Sequence, residues 1–289
     1  MFDYSDKRNK EVVLPDDETS VDELEFLVFD TETCGLWKGS RIVELGMCLV
    51  TSDTIGEVDV IRVNPGVKIP DDATKIHGIT DSDVKNSPLI GEVLKKFFGE
   101  SQNRILVAHN APYDEGILST EAARNAMYAP RFPVIDTLKM SRVLLEQLES
   151  YTLGHLSEVF GFPHTKAHTA GSDVIATSHL LHLLLKHLKK IDEGKFKYLR
   201  NYGGMTTIGN SAGFIDKFPD KFSFLRIGIV TKADVEIMYS SAKTTIRFPV
   251  TLQSGYNLEN HDYIEGRDHR NNEIKVFRLD RIENIYPMF

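Results

Sequence analysis

Cysteine, tryptophan and long apolar runs are scarce in this sequence. Its 289 residues include two cysteines and one tryptophan, and the cysteines do not have the paired spacing of a zinc site. Because Cys34 and Cys48 cannot make a disulfide framework, we expect a reducing, cytoplasmic location with free thiols. No apolar stretch is long enough to span a bilayer, and the N-terminal residues lack the hydrophobic core of a signal peptide. We therefore expect no membrane association.

The composition is that of an ordinary globular protein. Hydrophobic residues make up 41% of the chain and charged residues 26%, and the length allows one large domain or two modest ones. The net charge of −8 is unevenly distributed, because residues 186–289 hold 17 Lys+Arg and 13 Asp+Glu, a balance of +4, and the remainder has a balance of −12. The acidic part is where a metal-binding carboxylate cluster could lie, and the mildly basic part could face a polyanion.

Residues 26–36 (FLVFDTETCGL) combine an apolar run with two acids and a glycine. The run predicts a strand buried on both faces. Side chains alternate along a strand, so Asp30 and Glu32 project to the same side at its end. Two such carboxylates repel each other unless a cation lies between them, and a hard divalent cation suits oxygen ligands. The alternative is that the pair marks a strand leaving the core for a polar loop.

The remaining patterns predict an α/β fold followed by a small all-β region. Antiparallel strands come first and helices alternate with strands later, which indicates a mixed sheet covered by helices. Five consecutive short strands near the C-terminus indicate a small barrel or a curled sheet. These strands are expected at 222–230, 235–242, 244–255, 262–268 and 273–282. We expect four regions: a flexible acidic arm (1–23), the α/β domain (24–192), a connector (193–221) and the all-β domain (222–289).

Two further acids and a histidine fit the metal hypothesis. Asp114 begins a helix after a short buried strand, Asp173 lies in the first turn of a long helix, and His168 is five residues earlier. If these segments meet at the end of the central strand, four carboxylates can hold two Mg²⁺ or Mn²⁺ ions about 4 Å apart, as in phosphodiester hydrolysis. An imidazole can then take the proton of the attacking water.

Three segments, DTETCGL (30–36), VAHNAPYDEGIL (107–118) and HTAGSD (168–173), resemble the exonuclease motifs of the DEDDh family. Segments 63–84, 133–145 and 151–162 also look like those of proofreading-type members, so the resemblance covers roughly residues 24–190. Three motifs in order are far more specific than one. The resemblance implies a ribonuclease H-like fold, with a five-stranded mixed sheet flanked by helices.

The resemblance also implies roles for individual residues. Asp30, Glu32 and Asp173 would hold one metal ion, and Asp30 with Asp114 would hold the second. His168 would be the general base. At the substrate, Thr33 would offer its backbone N–H to the terminal nucleotide, and Leu36 would pack against or wedge between the last bases.

Three further polar residues lie in or near these motifs. Asn110 could fix its loop or reach the substrate. Asp136 is expected to cap a helix, and Glu44 is expected to be a paired strand acid.

Residues 235–286 bear a fainter resemblance to a WYL-type barrel, with Asp262-Tyr263-Ile264 in place of the three-residue signature. Cations and two tyrosines could form a basic face with stacking rings for nucleic acid. The alternative is that these cations decorate a solvated surface and pair with neighbouring acids. The residues are Arg247, Arg267, Arg270, Lys275, Arg278 and Arg281, with Tyr256 and Tyr263.

Two functions follow from these expectations. The first is a metal-dependent 3′-to-5′ exonuclease that releases 5′-mononucleotides, with single-stranded DNA favoured and RNA as the alternative substrate. The second is a proofreading or regulatory subunit that acts mainly through its WYL-like module, with a polymerase or repair protein as partner. The complete set of catalytic residues favours the first.

Overall fold

The computed structural model describes residues 12–145, 147–165, 167–215, 217–240 and 244–288. The chain forms two compact units, one of residues 1–118 and 130–210 and the other of residues 119–129 and 211–289. Part of the expected N-terminal arm, residues 1–11, lies outside the described residues. Within the described residues, no helix has both the length and the apolar character needed to cross a bilayer.

The first unit is built on a mixed sheet with the strand order β3-β2-β1-β4-β5-β6. β1 pairs antiparallel with β2 and parallel with β4, which places it near the middle of the sheet. The α/β fold with a mixed sheet is therefore confirmed, although the sheet has six strands where five were expected. The strands are β1 (Phe26–Thr33), β2 (Ile42–Val50), β3 (Ile55–Arg62), β4 (Ile105–Ala108), β5 (Pro133–Asp136) and β6 (Met205–Thr207).

Eight helices accompany this sheet in the described part of the chain. Several begin at a capping side chain or end at a glycine, as the sequence predicts. For example, the side chain of Asp136 accepts the N–H of Leu138 at the start of α5, so the expected helix cap is confirmed, and Gly161 ends α6 with a positive φ of 71°. The helices are α1 (Asp71–His77), α2 (Asp81–Val84), α3 (Ile90–Glu100), α4 (Ala111–Arg124), α5 (Thr137–Leu144), α6 (Leu153–Phe160), α7 (Ala170–Lys190) and α8 (Phe196–Gly203).

The main core lies between β1 and the long helix α7. Phe26 to Phe29 are all buried, as expected for a strand covered on both faces. On the helix side, α7 contributes a row of fully buried residues that pack into the same cluster as β1 and β2. These residues are Leu180, Leu181, Leu184, Leu185 and Leu188.

The segments on either side of the expected α/β domain are more ordered than the sequence suggested. The stretch expected to be a connector contains α8, β6 and the short strand β7 (Ala212–Gly213). The described part of the N-terminal arm also packs, because Val21 is fully buried and Asp17 forms an ion pair of 3.0 Å with Arg200.

The second unit contains an antiparallel sheet with the order β11-β10-β9-β8-β12, and β7 pairs with β9. No pairing joins β11 to β12 among the described strands, so the expected barrel-like closure is wrong and the sheet is open. A barrel requires its first and last strands to hydrogen-bond to each other. The strands are β8 (Asp234–Ser240), β9 (Thr245–Leu258), β10 (His261–Asp268), β11 (Ile274–Arg278) and β12 (Ile282–Pro287).

The strand expected at 222–230 is also wrong, because residues Leu225–Thr231 form the helix α9. Leu225 and Gly228 are buried whereas Ile227 and Val230 are 70% and 67% exposed. Buried positions three residues apart follow the helical repeat, so the apolar run has one buried face rather than two.

Within the second unit, a buried cluster of charged residues links the end of α4 to β10. Arg124 forms ion pairs of 2.9 Å with Glu121 and 2.8 Å with Glu265, and all three side chains are almost fully buried. Tyr256 is fully buried, and its hydroxyl donates to Glu265 at 3.2 Å. Charges at such depth are tolerated only when they are paired and hydrogen-bonded.

Candidate active site

Three carboxylates converge where β1 ends and α7 begins. Asp30, Glu32 and Asp173 each offer an oxygen, and these oxygens lie within 4.8 Å of one another. Asp30 and Glu32 come from alternate positions of β1, as the strand repeat predicts. Asp173 comes from the first turn of α7. The structure therefore brings together three of the four acids on which the metal hypothesis rests.

Gly46 on β2 allows α7 to approach the sheet at this level. It lies opposite Asp30 in the strand register. A Cβ atom at Gly46 would lie 2.7 Å from the carbonyl oxygen of Ala170, the first residue of α7. That is closer than real Cβ contacts, so only glycine fits without displacing the helix.

Glu44 fixes the start of α7 from the same strand. Its Oε1 accepts the backbone N–H of Ala170 at 2.9 Å, and its Oε2 forms an ion pair of 2.8 Å with Arg62. The expected paired strand acid is thus confirmed, and it also satisfies an N–H group at the helix terminus. β1, β2 and α7 are tied together next to the carboxylates.

Asp114 is held against β1 by hydrogen bonds from Thr31. Its Oδ1 accepts the Thr31 hydroxyl at 2.6 Å and the Thr31 backbone N–H at 3.1 Å. Asp114 lies in the first turn of α4 and is 4% exposed. The carboxylate is held by β1 although 83 residues separate the two partners in sequence.

Burial and mutual repulsion dominate the electrostatics of these acids. Burial raises the pKa of Asp30 well above its ordinary value, and the charges of Asp114, Asp173 and Glu32 raise it further. Burial, followed by the charges of Asp173, Glu44 and Asp114, raises the pKa of Glu32 to about 8. Burial raises the pKa of Asp114 to about 7, although the two hydrogen bonds from Thr31 oppose the rise. A cluster that resists full ionisation at neutral pH is one that a divalent cation would stabilise in its charged form.

Two histidines lie in the loop before α7, and among the described contacts it is His164 that reaches an acid of the cluster. His164 Nε2 lies 2.6 Å from Asp173 Oδ1, and both side chains are largely buried. His168, the expected general base, is exposed and has a positive φ of 61°. Among the contacts that the structure describes, none joins His168 to the acids. His164 was not among the predicted site residues, although it lies only four residues before His168 in the sequence.

The loop after β1 exposes an apolar side chain. Leu36 is 83% exposed, a position suited to contact with a ligand. Thr33 is buried, and its hydroxyl bonds the carbonyl of Gly35 at 2.7 Å and the hydroxyl of Tyr113 at 2.9 Å. Tyr113 also donates to Gly35 at 2.9 Å. It therefore braces this loop, a role that the sequence analysis did not assign.

Asn110 lies in the turn between β4 and α4, close to Asp114. It has a positive φ of 68°, which asparagine tolerates better than most residues. Its backbone N–H donates to Asp136 at 2.9 Å, and its side chain is exposed. The backbone thus fixes the loop while the side-chain amide faces outward.

The basic face expected in the second unit is largely neutralised by its own acids. Tyr256 is fully buried, so it cannot serve as an exposed stacking ring. Four of the expected cations form ion pairs, which leaves little free charge for a polyanion. The pairs are Arg247–Glu236 at 3.2 Å, Arg270–Asp268 at 2.7 Å, Lys275–Glu273 at 2.9 Å and Arg278–Asp280.

Comparison with protein families places residues 27–181 in an exonuclease family (RNase_T). The chain is 37% identical over 180 residues to a DNA polymerase III subunit epsilon-like protein of Rhodobacter capsulatus, covering 60% of this chain and 25% of that protein. It is 36% identical over 181 residues to a PolC-type DNA polymerase III of Caldanaerobacter subterraneus subsp. tengcongensis, covering 62% and 13%. The chain therefore spans a quarter or less of these relatives. A WYL-type module finds no support among these matches.

Solved structures show the same fold. One is E. coli exonuclease I in complex with a dT13 oligonucleotide, with a TM-score of 0.54 and 15% identity, covering 92% of this chain and 66% of that chain. Another is the nuclease domain of 3′hExo, a DEDDh family member, bound to rAMP, with a TM-score of 0.51 and 16% identity, covering 56% and 92%. The first alignment extends well beyond residues 27–181, so it also includes much of the second unit.

Proposed function

Because this chain belongs to the DEDDh family of 3′–5′ exonucleases, we propose that it removes nucleotides one at a time from the 3′ end of single-stranded DNA. The products would be 5′-mononucleotides. The observation that carries this proposal is the convergence of the Asp30, Glu32 and Asp173 carboxylates within 4.8 Å. Such a cluster suits the stabilisation of charge at a phosphodiester under attack.

The family depends on divalent metal ions, and the donor set of this chain fits them. Asp30, Glu32 and Asp173 would hold one Mg²⁺ or Mn²⁺ ion. Asp30, with Asp114 acting through water, would hold a second. Two such ions, when bound, stabilise the attacking and leaving oxygens of the reaction. The protein contributes buried carboxylates whose repulsion such ions would relieve. Thr31 fixes the Asp114 carboxylate through two hydrogen bonds.

His168 is proposed as the base that takes the proton from the attacking water. Support comes from its position five residues before Asp173, the spacing of the family motif. Its backbone also adopts a left-handed conformation, which is uncommon for residues other than glycine and is concentrated at functional sites. His164, by contrast, is proposed to orient Asp173 through its hydrogen bond.

The terminal nucleotide would lie over the loop that follows β1. The backbone N–H of Thr33 and the exposed side chain of Leu36 would position it. Tyr113 supports this arrangement because it ties Thr33 to Gly35. The exposed side chain of Asn110 would also contact the substrate.

DNA is favoured over RNA because the curated relatives are named as DNA polymerase III proteins. The same names support a second proposal, that this chain works beside a polymerase as a proofreading activity. The two proposals differ in whether the isolated chain acts on a free 3′ end.

The test is hydrolysis of a 5′-labelled oligonucleotide in Mg²⁺ or Mn²⁺. We expect a ladder that shortens from the 3′ end, faster on single-stranded DNA than on blunt duplex DNA or RNA. The ladder should disappear in EDTA and in Asp114→Asn, whereas Glu57→Gln, at an exposed acid on β3, serves as the control. Full activity of Asp114→Asn or cleavage within the strand would contradict the proposal. An inert chain that becomes active with a polymerase would favour the proofreading role.

A further inference from the structure

His77 is a buried histidine to which the proposed reaction assigns no role. It is the last residue of α1 and is 2% exposed. A buried imidazole costs free energy unless its two ring nitrogens have hydrogen-bond partners. The surroundings of these two nitrogens therefore indicate what His77 does.

The Nδ1 atom of His77 has a fixed partner. It accepts the backbone N–H of Ile79 at 3.0 Å. Gly78 makes this contact possible, because its φ of 77° turns the chain sharply after α1. The hydroxyl of Thr74 donates to the carbonyl of Ile79 at 2.8 Å and holds the same turn. Since Nδ1 is an acceptor, the proton of the neutral ring lies on Nε2.

The Nε2 atom is a buried donor that faces the end of β1. Among the described residues, none meets it with good hydrogen-bond geometry. Burial lowers the pKa of His77, and the backbone of Thr33 opposes that change. A backbone group that favours the protonated imidazole is a carbonyl, so the carbonyl of Thr33 lies within reach of the ring. Because Nδ1 is occupied by Ile79, this carbonyl is left for Nε2.

The carbonyl of Thr33 belongs to a peptide that shapes the end of β1. The same peptide carries the N–H of Cys34, which donates to the carbonyl of Arg41 at 2.8 Å. The register of β1 and β2 also shifts between Glu32 and Thr33, so the pairing is irregular here. A peptide is planar, and contacts at both its N–H and its carbonyl fix its orientation. A bond from His77 would therefore fix the backbone of Thr33.

We propose that His77 is a positioning residue for Thr33, and that its Nε2–H donates to the Thr33 carbonyl when the terminal nucleotide is bound. Hydrogen bonds at active sites are often long or poorly aligned in the free protein and tighten in the complex. The bond holds the backbone of Thr33, whose N–H is the proposed contact with that nucleotide. The inference rests on the proposed exonuclease function, and it gives α1 a part in binding.

The test compares His77→Asn with His77→Gln. In His77→Asn, the side-chain oxygen takes the place of Nδ1 and accepts the N–H of Ile79, but no donor replaces Nε2. In His77→Gln, the longer side chain brings an amide N–H to the position of Nε2. His187→Gln is the control, because His187 lies in the last turn of α7 whereas Asp173 lies in its first turn.

The first measurement is the Kd of thymidine 5′-monophosphate in Mn²⁺, by calorimetry. We expect this Kd to rise about 2-fold to 10-fold in His77→Asn, the effect of one neutral hydrogen bond. His77→Gln should restore most of the affinity, and His187→Gln should leave it unchanged. KM for a single-stranded oligonucleotide should follow the same order, with kcat changed less than about twofold. Partial unfolding would instead lower the apparent kcat and leave Kd unchanged.

The second measurement needs no variant. Proton–nitrogen NMR of the unaltered protein, labelled with ¹⁵N-histidine, shows which ring nitrogen of His77 carries the proton. We expect the proton on Nε2 and none on Nδ1. Addition of thymidine 5′-monophosphate and Mg²⁺ should move the Nε2 proton downfield, because a shorter hydrogen bond deshields it.

The outcomes separate this inference from the function beneath it. If the unaltered protein neither hydrolyses the oligonucleotide nor binds thymidine 5′-monophosphate, the proposed function fails and the inference falls with it. If it does both and His77→Asn keeps the unaltered Kd, the function stands and the positioning role is refuted. Equal losses of affinity in His77→Asn and His77→Gln would also refute it. If neither variant folds, a proton on Nδ1, or an Nε2 proton that the nucleotide does not move, refutes it.

Discussion

Glu32→Gln is expected to make the protein more stable in EDTA at pH 8 and to abolish metal binding. Burial and neighbouring carboxylates raise the pKa of Glu32 from 4.5 to about 8. The folded chain therefore binds a proton at Glu32 more tightly than the unfolded chain, so stability falls as the pH rises from about 4.5 to about 8. The resulting penalty is about 4 kcal/mol at pH 8 and below about 1 kcal/mol at pH 5. Glutamine has nearly the same shape and removes that penalty.

The measurement is urea unfolding in EDTA at pH 5 and pH 8. We expect Glu32→Gln to raise the free energy of unfolding by about 2–4 kcal/mol at pH 8 and by less than about 1 kcal/mol at pH 5. Glu57→Gln, an exposed acid on β3, should change it by less than about 0.5 kcal/mol at either pH. In excess Mg²⁺ the difference at pH 8 should shrink, since a ligand at 100 times its Kd stabilises the unaltered protein by about 2.7 kcal/mol.

A loss of stability in Glu32→Gln at pH 8 in EDTA would refute this reasoning. A gain of the same size at both pH values would refute it as well, because the effect would then not come from ionisation.

The remaining predictions concern the supporting residues. His168→Gln should lower kcat at least about 100-fold, whereas His164→Gln should lower it less. Equal losses of kcat on the same oligonucleotide would contradict the separate roles proposed for His168 as base and His164 as the residue that orients Asp173. Gly46→Ala should destabilise the protein by about 1–3 kcal/mol in urea unfolding, because the added Cβ would press on Ala170. It should also reduce kcat, because Asp173 would shift with α7. Unchanged stability and activity would show that the contact between Gly46 and Ala170 is not tight. Arg124→Met leaves buried carboxylates without their cation and should destabilise the protein by about 3–5 kcal/mol; a calorimetric change below about 1 kcal/mol would contradict that.

Local sequence signals predicted much of the first unit. Three correct predictions each rested on a few neighbouring residues. They are the apolar run of β1, the helix cap at Asp136 and the paired acid at Glu44. The convergence of Asp30, Glu32 and Asp173 could not follow from periodicity, because it depends on α7 crossing β2 at Gly46. The prediction that these three residues meet came instead from the resemblance of their motifs to the DEDDh family.

The second unit was harder to predict, because its apolar segments fit more than one secondary structure and its burial depends on residues far away in sequence. The segment at 222–230 is apolar enough for a strand, but its buried residues follow the helical repeat once packed against β9. Tyr256 looked like an exposed ring, whereas it is buried beside Arg124. That partner is more than a hundred residues away in sequence, so no local pattern could reveal it.

The most direct test of the metal site is a crystal structure with Mn²⁺ and thymidine 5′-monophosphate, with anomalous data collected above the manganese edge. We expect two anomalous peaks about 4 Å apart, with Asp30 contacting both and Glu32 and Asp173 contacting one. The phosphate should lie between them. Mn²⁺ bound elsewhere, or no peak among these three carboxylates at saturating Mn²⁺, would contradict the assignment.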